Sequence, residues 1–418
     1  MSENPGFGGI GRAFRSRNFR IYCAGGIVSL IGLWVHKVAI GWLTWELTGS
    51  AAWLGVIAFA ELFPTVVVSP FAGAFADRGD YRLQMIAAQA LAGVLALGLA
   101  GLTFSGLITI ELLLGISIVQ GLITAFNHPA RLAMVPSLVE ARDLSAAVAV
   151  NSATFNGARF IGPAVAGVII VGAGTAPAFA FNAISYLWFV AMLARLRLAP
   201  KARPARRASG IFGDTLEGFR YVAGHFGISS LLILLAATAM LLRPYMELLP
   251  GFAAEVFGRG ADGLAMLTSA TGFGALMAGI WLARRGRVQG LTRILVSYMV
   301  VCAAALFVLA SGGALWVGLG AVAVIGFSLV AVGVSTQTLL QNAVEGAMRG
   351  RVMSLYGVIF LGGPAVGALV MGWIASNAGL GPPVAGGAAI CLGVWLWAMR
   401  RVWRAAPGLE AECPPRRP

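Results

Sequence analysis

Between Ile21 and Trp403 the chain passes twelve times through about 20 mostly apolar residues, first at Ile21–Trp45 and last at Val384–Trp403, with short polar links between. A hydrocarbon core roughly 30 Å thick needs about that length of helix to cross it. Inside lipid a segment persists only where its own backbone groups are paired, and a helix pairs them locally. The expected fold class is therefore an all-α membrane protein of twelve transmembrane helices. Only 11% of the 418 residues are charged and 59% are hydrophobic, with a mean hydropathy of +0.85, whereas soluble domains carry about 25% charged residues. The first stretch is too long for a cleavable signal peptide and no small-residue cleavage site follows it.

The net charge of +14 would suggest a nucleic-acid partner in a soluble protein, but the basic residues lie between apolar spans. With the amino terminus in the cytoplasm, 26 of the 30 Lys and Arg residues fall on the cytoplasmic side. The positive-inside bias then places both termini there, in a multi-pass protein of the cell (inner) membrane. The basic, proline-bearing run LRLAPKARPARRASG, Leu196–Gly210, is too polar to insert and reads as a linker. The expected organisation is a tail at 1–20, a six-helix half at 21–196, a cytoplasmic linker at 197–227, a second half at 228–403 and a tail at 404–418.

Soluble chemistry finds little footing. Cys23, Cys302, Cys391 and Cys413 show no metal-ligand spacing, and His36, His128 and His225 are isolated, so no metal and no disulfide framework is expected. GFGGIG at Gly6–Gly11 matches a dinucleotide fingerprint only in letters, since it sits on a polar tail and not in a βαβ unit. No GxxxxGK[ST] signature is present, so ATP-driven transport would need a separate subunit. No span gathers a nucleophile with a base, so neither an enzyme nor a cofactor is expected.

The chain is internally repeated. GAFADRGDYR, Gly73–Arg82, at the end of the second span is echoed by GIWLARRGR, Gly279–Arg287, 206 residues later at the end of the eighth. IGPAVAG, Ile161–Gly167, returns as GGPAVGA, Gly362–Ala368, at an offset of 201. Two matches at nearly one offset point to duplicated halves, parallel because each holds an even number of spans, an architecture known among transporters.

These residues resemble the major facilitator superfamily. GAFADRGDYR is similar to the superfamily's loop between its second and third helices, and GARFIGPAVAG, Gly157–Gly167, to the glycine-proline motif of its antiporters. RNFRIYCAGGIVSLIG, WLTWELTGS, PARLAMVPSLV and RGRVMSLYG resemble the branch holding the enterobactin exporter and macrolide-efflux proteins. The resemblance implies a two-fold six-helix transporter without a cofactor, gated at Gly73, Asp77, Arg78, Arg82, Gly162 and Pro163. Related exporters often carry acids where Leu33 and Asn127 stand here, and neither can ionise.

Physical chemistry leaves alternatives at several of these positions. Asp77 at the cytoplasmic end of a span can latch one state against the positive end of a neighbouring helix. Arg78 and Arg82 can orient it or anchor to lipid phosphates. Gly162 and Pro163 can serve packing as well as gating. The second copy carries Ala283 in place of Asp77, which makes the latch asymmetric.

A charge at the bilayer centre costs about 2.5–3.5 kcal/mol on insertion scales, which makes Lys37, Glu61, Arg159 and Arg243 the candidate coupling or substrate residues. Lys37 and Glu61 lie twelve residues either side of Gly49, at equal depth on consecutive spans. A purely structural pair and a coupling pair are both open. Arg159 faces substrate or the carbonyls beside Pro163, and Arg243, followed by Pro244, pairs locally with Glu247 or meets substrate. Trp34 lines a cavity or packs. Cations outnumber mid-span carboxylates, which favours neutral or anionic solutes. The expected function is a monomeric secondary transporter that exports a small amphiphilic or hydrophobic solute against protons, with an importer, a facilitator, a lysolipid translocase or a non-transporting receptor as alternatives.

Overall fold

The structure is a computed structural model that describes residues 8–197, 211–346 and 348–411. The linker run at 198–210 and Cys413 lie outside the described residues, as do the side chains at 73–78. Among the described residues, twelve helices are long and apolar enough to cross a membrane and no strand occurs. The first six are Arg17–Thr48, Ala51–Arg78, Tyr81–Phe104, Ile110–Met134, Leu144–Ala173 and Thr175–Ala194. The last six are Phe226–Val256, Ala261–Arg285, Leu291–Ala310, Leu315–Ala343, Arg349–Ala378 and Gly381–Glu410.

Most spans outrun their apolar stretches, because a helix continues through flanking polar residues until a cap or a glycine stops it. The first turns at Gly49, where φ is +55°, a left-handed backbone that glycine adopts without strain. GAFADRGDYR is mostly helix and not loop. The second span runs through Arg78, and the turn is only Gly79–Asp80. Asp80 closes it by accepting from the backbone N–H of Arg82 (2.8 Å) and Leu83 (3.3 Å) at the start of the third span, a side-chain N-cap.

The seventh span is not a uniform α-helix. It widens into π turns at Thr238–Leu242 and Phe252–Val256. Pro244 has no N–H to give, and the Arg243 N–H reaches back to Thr238 O across the wide turn, the sort of local adjustment by which proline is accommodated.

By packing, the chain divides into two units. The first is Met1–Thr48, Pro64–Arg206 and Leu264–Ser269; the second is Gly49–Phe63, Arg207–Gly263 and Ala270–Pro418. Each is dominated by one sequence half, but a stretch of the second span belongs with the second unit and a stretch of the eighth with the first.

Inside each unit the same helix pairs meet. In the first, the first span packs on the fifth and sixth, and the third on the fourth and sixth; in the second, the seventh packs on the eleventh and twelfth, and the ninth on the tenth and twelfth. Adding six to each number converts one set into the other. The duplication read from two short motifs thus extends to the packing.

Glycine makes these crossings close. A methyl at Gly162 would collide with Trp34 Cβ on the first span, and one at Gly363, 201 residues on, would collide with Ala239 on the seventh. Lipid offers no hydrophobic drive between helices, so such close van der Waals contact holds them together.

The first unit also has a core of large buried side chains joining its spans at one end, including Phe19, Tyr22, Met85, Met134 and Phe189. Tyr22 meets Phe189 edge-on at 5.7 Å.

Candidate substrate and coupling site

Arg159 stands at the midpoint of the fifth span, within about 1 Å at 1.5 Å per residue. Its guanidinium carbon lies 5.5 Å from the centre of the Trp34 ring on the first span. Lys37, one turn beyond Trp34, brings its ammonium to 6.0 Å from the same ring. Phe155, one turn before Arg159, meets Trp34 edge-on at 6.2 Å and is 42% exposed. Two cations and two aromatic rings therefore converge where the first and fifth spans cross.

Gly162 decides that convergence, since only a residue without a side chain lets the fifth span approach Trp34 so closely. A desolvated cation–π contact is worth about 2 kcal/mol, which offsets only part of the 2.5–3.5 kcal/mol that each buried charge costs. The Trp34 indole N–H is buried and has no acceptor. The cluster is rich in positive charge.

The second unit repeats the crossing with one cation fewer. Arg243 on the seventh span donates from Nη1 to Phe360 O at 2.7 Å and lays its guanidinium 4.2 Å from the Phe360 ring. Phe360 stacks on Tyr356 at 5.4 Å and 15°. Arg243 follows Lys37 by 206 residues and Phe360 follows Arg159 by 201, the two offsets of the motifs. The cation on the leading helix is thus repeated, and the second cation is replaced by a ring.

Leu33 and Asn127 are brought together. Both line a chamber of about 60 Å³ in the first unit, with Ser29, Gln89, Gln120 and Thr124, space for about two waters by liquid volume. Gln89 and Gln120 are buried, and the Asn127 side-chain oxygen is buried without a donor. No carboxylate is among the residues lining this chamber.

Glu61 is half-buried in the second span, in the stretch grouped with the second unit, while Lys37 belongs to the first. Within the second unit, Gly55 and Gly372 bring that stretch against the eleventh span.

The motif ends behave differently in the two copies. Arg82 donates to Leu193 O at 2.8 Å and Ala194 O at 2.5 Å, closing the carbonyl end of the sixth span. The side chains of Gly73, Asp77 and Arg78 lie outside the described residues. In the second copy Arg285 turns back onto the carbonyls of Arg287 and Gln289. The cap that Asp80 supplies locally in the first copy comes here from Glu410, at the far end of the twelfth span. Its two oxygens accept from Gly290 N (2.6 Å) and Thr292 N (2.8 Å) at the start of the ninth.

Residues 12–411 match the family described as transmembrane secretion effector. The chain belongs to that family, within the major facilitator superfamily. It is a multi-pass membrane transporter and not an enzyme. Among relatives of this chain, the Staphyloferrin A transporter of Staphylococcus aureus is 30% identical over 58% of this chain and 61% of its own length. The Enterobactin exporter EntS of Shigella boydii is 24% identical over 82% of this chain and 78% of its own. The nucleoside transporter NupG shares the fold at a TM-score of 0.67 and 12% identity, covering 92% of this chain and 99% of that one.

Sequence reasoning singled out Lys37, Arg159, Arg243 and Trp34 in this family member, but neither the pairing of Trp34 with two cations nor Phe360 as the ring beside Arg243. Phe360 was legible as the repeat partner of Arg159. Asp80 was legible too, as an aspartate three residues before the apolar run that begins at Leu83. Nothing local marks Glu410 as a cap for a helix 120 residues away.

Proposed function

We propose that the chain is a secondary active exporter that moves a small amphiphilic or hydrophobic solute, neutral or anionic, out of the cell by alternating access against an inward proton flux. It sits in the cell (inner) membrane as a monomer with both termini cytoplasmic. The observation that carries this reading is the placement of mid-span cations on aromatic rings at matching helix crossings of the two units. Relatives named as an enterobactin exporter and a multidrug efflux pump support outward transport, and the name Staphyloferrin A transporter supports a siderophore-like solute.

Glu61 is the mid-span carboxylate assigned to the coupling proton, with Lys37 as its counter-charge. Asp77, with Arg78, Arg82 and Gly73, forms the cytoplasmic latch, and Gly162 and Pro163 set the bend and approach of the fifth span. Reconstituted vesicles test the scheme. Glu61→Gln abolishes uphill movement driven by a pH gradient while solute counterflow, which needs no net proton transfer, persists. Wild-type accumulation in Glu61→Gln refutes the assignment. Uptake into inside-out vesicles, with none into right-side-out vesicles, tests direction. Facilitated diffusion is the second reading, favoured by the carboxylate-free chamber at Leu33 and Asn127.

A further inference from the structure

Away from the mid-span crossings, another cation meets aromatic rings where the seventh and twelfth spans converge in the second unit. Phe226 opens the seventh span, directly after the linker helix Ile211–Gly224 and His225. Gly227 beside it lets that span close on the twelfth, since a methyl there would lie 2.9 Å from Ala405 Cβ. The approach brings Phe226 to Arg401, whose guanidinium carbon lies 5.1 Å from the Phe226 ring centre and 4.0 Å from that of Trp397, one turn earlier on the twelfth span. Rings hold a guanidinium by its faces and leave the N–H donors in its plane free to bond. Among the described residues no carbonyl or carboxylate takes those donors.

The surroundings set the depth of this arginine. Phe226 and Trp397 are 49% and 48% exposed, and Leu396 and Trp403 are exposed with them. Over about two turns the twelfth span passes from Leu396 and Trp397 to Arg400, Arg401 and Arg404. An outer face that changes so quickly from apolar to cationic, with indoles at the crossover, belongs to a helix leaving hydrocarbon for the headgroup layer. The positive-inside bias assigns this end to the cytoplasmic leaflet, where anionic headgroups attract basic residues.

We infer that Arg401, held between Phe226 and Trp397, is a binding site for the phosphate of an anionic phospholipid. Two phosphate oxygens accept from the guanidinium fork, and the acyl chains lie along Trp397 and Leu396. Arg400 and Arg404 add positive charge at headgroup level. A zwitterionic lipid offers the same oxygens but carries its own cation, which the arginines repel. Free phosphate lacks the apolar body. The site does not depend on what the chain transports, and the proposed topology enters only in naming the leaflet.

The test is native mass spectrometry of the purified full chain in detergent, titrated with dioleoyl phosphatidylglycerol, dioleoyl phosphatidylcholine or inorganic phosphate. The first phosphatidylglycerol is expected to bind at least fivefold more tightly than phosphatidylcholine, and phosphate at the same concentration is not retained. Arg401→Gln weakens phosphatidylglycerol at least fivefold and leaves phosphatidylcholine within twofold. Arg401→Lys, which keeps the charge and loses the fork, retains the preference at two- to threefold lower affinity and guards against a misfolded Gln variant. Trp397→Leu, which keeps apolar contact and removes the stack, weakens phosphatidylglycerol a few fold. Arg284→Gln removes an exposed cation at the end of the eighth span that stacks on no ring among the described residues, and it leaves binding unchanged.

Equal retention of the two lipids by the wild type overturns the site, because the surface then takes lipid without reading charge. Equal losses in Arg401→Gln and Arg284→Gln overturn it too, because net charge and not the stacked arginine is then recognised. Phosphate retained as tightly as phosphatidylglycerol points to a bare anion site, and a dimer that Arg401→Gln disrupts gives the face to a second copy; either result refutes lipid binding here.

Discussion

Replacing Gly162 by alanine adds one methyl group at the crossing on which the cation–ring cluster depends. That methyl would overlap Trp34 Cβ and lie 3.2 Å from Ile31 O, tighter than ordinary contact with a backbone atom that has little room to yield. Trp34 cannot swing away at Cβ, so the fifth and first spans must part. Overpacking of this kind costs about 1–3 kcal/mol, and the cation–π contacts of Trp34 with Arg159 and Lys37 stretch as the helices separate.

Gly157, five residues earlier on the same helix, is the internal control. A methyl there meets nothing within 4 Å, and exchanging helical glycine for alanine gains roughly 1 kcal/mol of propensity. Thermal unfolding in nanodiscs should therefore rank Gly157→Ala at or above wild type and Gly162→Ala below it. The expected gap between them is about 1–3 kcal/mol, the clash alone, because both positions are helical and share the gain in propensity. Solute transport in proteoliposomes should fall in Gly162→Ala and hold in Gly157→Ala. Equal stability and equal transport in the two variants would refute the claim that close approach at Gly162 organises the cation–ring cluster.

Asp77→Asn is expected to preserve expression and insertion while cutting transport in proteoliposomes severalfold, and normal turnover would remove Asp77 from the latch. Ala283→Asp, which restores an acid in the second copy, should leave cycling unchanged or slow it; a faster cycle would contradict an asymmetric latch. Glu410→Gln weakens two charge-assisted hydrogen bonds at a partly exposed site, a loss of about 1 kcal/mol; amide exchange at Gly290–Arg293 should quicken several-fold, and unchanged protection would show that the cap is not needed. Asp80→Ala should likewise speed exchange at Arg82–Leu83 without altering the protection at Gly290.

Particular residues show how much was legible before the fold was known. The GAFADRGDYR stretch was legible as the end of the second span, and its likeness to a loop holds only for Gly79–Asp80: six of its ten residues continue the second helix, because nothing before Gly79 interrupts helical hydrogen bonding. Arg82 was legible as a charge at a span end, but its acceptors Leu193 O and Ala194 O, at a helix end 111 residues away, were not. Arg159 was flagged by burial cost and Trp34 as a candidate cavity residue, but nothing along the chain joined the two, which lie four spans apart.

Twelve spans and their duplication were determined by the sequence itself. A membrane helix satisfies its backbone within about four residues of each group and is recognised by length and apolarity, and both are local properties. The 206 and 201 offsets are likewise properties of order along the chain. The tertiary structure alone decided which faces meet: Gly162 on Trp34, Arg159 and Lys37 on one indole, Arg243 on Phe360, Glu410 under Gly290 and Thr292. In lipid almost every face of a span is apolar, so hydrophobic patterning does not tell a buried face from an exposed one, and packing between small residues and scarce polar groups makes the choice.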